Sequence, residues 1–155
     1  MGSSTARWFV ENHIIYVQHL GHLTHDDFRH MDTQVMALMN SAKGNHKIHV
    51  MVDCYGMEGL PALSELEGGR ILKYLWEPRT GWTVVADPKS NFMLKILSGI
   101  LTGVAKAKFT TVKRLNEGVN FLFEADPILM DIYVPNMDRW AKEQTQVHER
   151  EHEVA

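Results

Sequence analysis

Between residues 47 and 53 the chain carries Val50 and Val52 on one face of an extended run and Met51 on the other, so a strand there has no face suited to water. Strands apolar on both sides belong to parallel or mixed sheets whose helical crossovers cover both faces. A second such run, Trp82-Thr-Val-Val-Ala86, and a shorter one, Phe109-Thr-Thr-Val112, follow at helix-length intervals. Upstream, the runs 7–10 and 14–17 flank Glu11-Asn12-His13 and predict a β-hairpin. The predicted order is hairpin, helix, strand, helix, strand, helix, strand, helix, tail. That order requires a mainly parallel sheet with an antiparallel edge strand.

The first helix is expected to open at Thr24, with Asp27 three residues on as a capping partner, and to close before Gly44. Phe28, Met31, Val35, Leu38 and Ala42 form its apolar stripe. After the central strand, Asp53 to Leu60 reads as a tight glycine-containing turn, and Pro61 as the first residue of a second helix running towards Leu75. Gly68-Gly69 in its middle predicts a break, since each glycine costs about 1 kcal/mol against alanine in a helix interior. A third helix is expected from Lys89 to Ala105, and a short one from Asn116 to Glu124 that ends at Asp126-Pro127. A final helical segment around Met137, Trp140 and Ala141 has too few apolar residues to stand alone, so 133–147 is expected to pack on a second copy.

A chain of 155 residues is most simply one domain: 7–130, led by a disordered or cloning-derived 1–6 and followed by a helical tail, 131–155. The net charge of −3 makes no case for nucleic-acid binding. One cysteine excludes an internal disulfide and fits a reducing compartment. The start has no cationic region followed by an apolar core, so no signal peptide is read there. The longest apolar stretch, around Phe92 to Ala105, is interrupted by Lys95 and too short to span a bilayer. A cytoplasmic location is the expectation.

The hairpin from Trp8 to Val17, then Ile48-His-Val-Met-Val-Asp53, Gly81-Trp-Thr-Val-Val-Ala86 and the closing Val112-Lys-Arg-Leu-Asn-Glu-Gly-Val-Asn-Phe-Leu122 together resemble the STAS (anti-sigma-factor-antagonist) family, especially its bacterial STAS-like branch. The resemblance implies an α/β, STAS-like (βα) superhelical domain with a mixed, mainly parallel sheet, an N-terminal β-hairpin and about four to five helices. In phospho-regulated members of that family the strand corresponding to 48–53 leads into aspartate, then serine or threonine, then glycine, and a partner kinase phosphorylates the hydroxyl. Here Asp53-Cys54-Tyr55-Gly56 keeps the aspartate and glycine but not the aliphatic hydroxyl, so the resemblance implies the fold without that switch. The branch is also similar to CRAL-TRIO lipid-binding domains, which implies an apolar ligand as an alternative.

The candidate partner surface is Asp53, Cys54, Tyr55, Gly56, Met57 and Glu58, at the carboxyl end of the central strand, where α/β proteins place recognition. The alternative, a pocket for an apolar or anionic small ligand, draws on Met57, Leu60, Leu63, Trp82, Asp87 and Lys89. Asp53 and Asp87 both end strands and serve either as a pair in a cleft or each as a cap of its own turn. Cys54 reads as a small buried hydrophobe unless a cation lies near it. Lys89, Lys95, Lys106, Lys108, Lys113 and Arg114 make a stretch free of acidic residues, a surface for an anionic partner or simply a solvated face. His22, His25 and His30 lack the spacing that aligns two imidazoles; His148 and His152 have it, but in a very polar tail. No catalytic residue, cofactor or metal is expected, and the chain reads as a non-enzymatic interaction or regulatory module for another protein.

Overall fold

The computed structural model describes residues 2–61, 72–89 and 108–132. They form one five-stranded sheet in the order β1 (Ser3–Val10), β2 (Ile14–His22), β3 (Ile48–Gly59), β4 (Thr80–Ala86) and β5 (Lys108–Val112). The β1–β2 hairpin is antiparallel, and every other pairing is parallel. Helix α1 (His25–Ser41) links β2 to β3, and a 3₁₀ turn (Lys73–Trp76) precedes β4. Beyond β5 come α2 (Leu115–Ala125) and the single turn α3 (Ile128–Asp131).

The double-sided strands are buried as their composition requires. Val50 and Val52 join Ile15, Val17, Phe28, Met31 and Val35 in the core under α1. Met51 joins Ile14, Tyr16, Val84, Leu115, Val119 and Leu122 in the core under α2. Each fully buried side chain of this size contributes about 1.5–3 kcal/mol relative to exposure, so the sheet is held from both faces.

Thr24 caps α1 with the expected box: its hydroxyl accepts from the Asp27 N–H, and Asp27 accepts from the Thr24 N–H at 2.8 Å. The buried stripe is Phe28, Met31, Val35 and Met39, with Leu38 and Ala42 only half-buried, so the helix is rotated slightly from the expected stripe at its far end. Asp32 is also buried in this stripe and accepts the Tyr74 N–H at 2.9 Å, which ties α1 to the 3₁₀ turn. Burial raises its carboxyl above the ordinary range, and backbone donors partly offset the rise.

Two boundaries differ from the sequence expectation. β1 begins at Ser3, paired with Leu20, so residues 3–6 are sheet and not a disordered lead. The hairpin continues outward because Ser4 is buried beside His19. The segment expected to be a turn from Asp53 to Leu60 is instead the second half of β3, paired with β2 as far as His22 and Gly59. Gly56 and Gly59 let the Leu20 and His22 side chains lie close over the strand, since a Cβ at either position would meet the end of one of them at 2.4 Å. The expected helices over 62–71 and 90–105, with Leu63 and Gly68-Gly69, and the tail 133–147 lie outside the described residues.

Candidate functional site

β4 pairs with β3 only as far as Ala86, opposite Asp53. β2 continues alongside β3 to Gly59, so from Cys54 onward the two strands project beyond β4 as a ledge at the carboxyl rim of the sheet. One extra β3 residue is accommodated between the Gln18–Asp53 and Leu20–Gly56 pairs, and a second between Gly21–Met57 and His22–Gly59. Such bulges change which face successive side chains take. Cys54 and Met57 fall in the core under α1, and Tyr55 in the core under α2.

Of the six residues expected to form a partner surface, Asp53, Cys54, Tyr55 and Met57 are therefore buried, Gly56 is half-buried and Glu58 alone is exposed. Asp53 is fully enclosed. Its Oδ2 accepts from the Tyr16 hydroxyl and its Oδ1 from the Tyr55 N–H at 2.9 Å. Burial and the adjacent carboxylate raise the Tyr16 hydroxyl well above its ordinary value, which keeps it a donor at any physiological pH. Tyr55 donates its hydroxyl to the Lys113 carbonyl, fixing the end of β5 to β3. Burial pushes the Cys54 thiol up, and Asp87 and Asp53 push it the same way, so it is a packed hydrophobe and not a thiolate nucleophile.

The exposed part of the ledge is contributed by both strands. Leu20 is 37% exposed, and the side chains of His22 and Glu58 are 72% and 63% exposed with 3.6 Å between Nε2 and Oε2. The contact is open to solvent, so both groups stay available to other partners. Leu60 is half-buried beside the core under α1. Leu20 and His22 were not singled out by sequence reasoning. Parallel pairing with β3 is what brings them beside residues 56–59, and no spacing within the sequence announces it.

Among the described residues, the alternative ligand set does not converge. Met57 and Leu60 pack on the α1 side, whereas Trp82 lies on the opposite face, edge-on to Phe121 at 4.9 Å and beneath the Lys108 ammonium. Asp87 ends β4 at the carboxyl rim, as expected, and caps its own turn by accepting the Lys89 N–H at 3.0 Å. Its other carboxylate oxygen is buried without a hydrogen-bond partner. Lys89, Lys113 and Arg114 are exposed near the same rim. A cavity of about 20 Å³, room for about one water, lies under α1 among His19, Phe28, Met31, Tyr74, Thr83 and Phe109.

His19 occupies the wall of that cavity with 1% exposure, its Nδ1 2.7 Å from Ser4 Oγ and its ring 5.3 Å from Phe28. Burial lowers its pKa to about 4 against the opposing pull of Asp53 and Asp27, so it is neutral at pH 7. The period-two series Ile15, Val17, His19 was the available signal that this histidine faces the core. Among the described residues no three histidine, cysteine or carboxylate side chains are grouped to hold a metal, and no helix is long and apolar enough to cross a membrane.

No protein-family model matches the sequence. No curated protein matches it either. A solved structure does: an uncharacterized protein of the DUF3478 family from Shewanella loihica PV-4, described as having a SpoIIAA-like fold, superposes with a TM-score of 0.56 at 12% identity, over 79% of this chain and 95% of that one. The chain, with its mostly parallel sheet entered through a hairpin, accordingly has a SpoIIAA-like, that is STAS-like, α/β fold.

Proposed function

We propose that this chain is a non-enzymatic interaction and regulatory module that meets another protein through the β2–β3 ledge. The observation that carries the reading is the overhang itself, where β3 outruns β4 and leaves Leu20, His22 and Glu58 exposed. An exposed apolar side chain bordered by polar groups is a composition that suits a non-obligate protein interface. The buried members of the originally expected surface, Asp53, Cys54, Tyr55 and Met57, act from beneath by holding the ledge in one conformation. Such preorganisation lowers the ordering cost of binding. The STAS-like fold supports an interaction role in general. Cys54 and Tyr55 stand between Asp53 and Gly56, where phospho-regulated members of the family it resembles carry an aliphatic hydroxyl, so in this reading control comes from occupancy of the ledge and not from phosphorylation of such a hydroxyl.

Affinity capture from native cells, comparing the wild-type chain with Leu20→Asp and Glu58→Arg, tests the proposal. It predicts a partner retained by the wild type and reduced about tenfold or more by either substitution, the loss expected for about 1.4 kcal/mol, with unchanged circular dichroism. Equal recovery by all three proteins would overturn it. The cavity among the described residues under α1 is smaller than a carrier of an apolar ligand needs. Native mass spectrometry showing a retained small molecule would replace the present reading with that one.

A further inference from the structure

The opposite, amino-terminal rim of the sheet gathers three histidines that are far apart in sequence. His13 lies in the β1–β2 turn, His46 in the loop before β3 and His49 in β3. The His13 and His46 rings stack with centroids 4.0 Å apart and planes 12° from parallel. His46 Nε2 donates to the Asn12 carbonyl at 2.5 Å, and the Asn12 side chain accepts the Lys43 N–H at 3.0 Å. His49 Nδ1 accepts the Trp82 N–H at 2.9 Å, so its proton must sit on Nε2, which donates to Asp126 Oδ2 at 2.8 Å.

The Trp82 N–H is free for this bond because β3 and β4 are out of step at that point, with register shifting between Ile48–Thr80 and Val50–Thr83. The imidazole thus stands in for a missing strand partner. Gly81 leaves the space for it, since a Cβ there would lie 2.5 Å from His49 Nδ1. On its other side Asp126 joins α2 to α3, with the Leu129 N–H bonded to its carbonyl. One neutral ring therefore connects β3, the start of β4 and the corner between the last two helices.

We propose that this rim is an acid-operated latch: protonation of His49 at Nδ1 turns an acceptor into a donor facing the Trp82 N–H, breaks that bond and loosens β4 at Trp82, with the Ile48 N–H still bonded to the Arg79 carbonyl at 2.7 Å. The charged groups around it act in both directions. Asp126 favours the protonated forms of His49 and His13, whereas Lys108 from β5 opposes charge on His49, and His46 opposes it on both. Lys47 and Arg79 also border the rim but are engaged with carbonyls, Lys47 with Pro78 and Arg79 with Met39 and Gly44. Burial lowers both His13 and His49 below the ordinary imidazole value, which sets the latch to open on the acid side of about pH 6.5.

Residue-resolved hydrogen exchange and histidine NMR titration of the full chain, from about pH 7.5 to about pH 5, test the latch. After correction for intrinsic exchange, opening at the Trp82 amide is predicted to increase about tenfold per pH unit as pH falls below about 6.5, levelling off once the closed-state His49 itself titrates, the dependence expected for one linked proton. The Met51 and Val52 amides at the centre of the sheet should stay protected over the same range. Asp126→Asn, which removes the group favouring the charged ring, should move both His49 titration and Trp82 opening to lower pH. A Trp82 amide indifferent to pH, an Asp126→Asn shift towards higher pH, or simultaneous loss of protection at Trp82, Met51 and Val52 would each overturn the proposal.

Discussion

His19 gives the sharpest quantitative prediction. Its ring is neutral and enclosed, with Nδ1 bonded to Ser4 and a pKa lowered to about 4, whereas an unfolded chain would titrate it near 6.5. As pH falls below about 6.5 the unfolded state takes up a proton that the folded state refuses, so stability declines. The decline continues until the folded form also protonates, near pH 4. A displacement of about 2.5 pH units at about 1.36 kcal/mol per unit is a loss of about 3 kcal/mol. That is a large share of the roughly 5–15 kcal/mol that holds a domain together. The assay is urea denaturation at a series of pH values for the wild type and for His19→Asn, which keeps a polar atom near Ser4 but cannot titrate. The variant is expected to be weaker at neutral pH, by about 1–3 kcal/mol, because the smaller side chain enlarges the cavity. It is also expected to lose about 3 kcal/mol less than the wild type between neutral and about pH 4. Equal acid losses in the two proteins would refute the assignment of that slope to His19.

Other consequences follow from single contacts. Gly81→Ala should destabilise the fold by about 1–3 kcal/mol through overpacking against His49, measurable in the same urea assay. Tyr16→Phe removes a buried donor from Asp53 and should cost about 1–3 kcal/mol, since the carboxylate loses one of its hydrogen bonds in the interior. Cys54 should stay inert to an aromatic disulfide reagent in the native protein and react at once in denaturant; rapid native labelling would contradict its buried, protonated state.

The sheet was legible in the sequence because burial on both faces leaves a direct mark, as at Val50, Met51 and Val52. The Thr24 capping box and the stop at Asp126-Pro127 were legible for the same reason, each being local chemistry. The carboxyl half of β3 was not. Two glycines followed by a proline read as a turn, yet Gly56 and Gly59 are glycine so that β2 side chains can lie close over a continuing strand. That misreading placed the candidate surface on residues that are mostly inside. It hid Leu20 and His22, whose relation to residue 58 exists only through strand pairing. The histidines escaped for a related reason. A search for helical ligand spacing does not detect His13, His46 and His49, which converge through a hairpin turn, a loop and a strand.

Site-specific photo-crosslinking in native cells tests the ledge most directly, with the photoreactive residue at 20 or 58 and, as controls, at the exposed positions Arg29 of α1 and Glu117 of α2. The proposal predicts the same partner attached from 20 and from 58 and absent from both controls. Attachment from the control positions but not from 20 or 58 would contradict it.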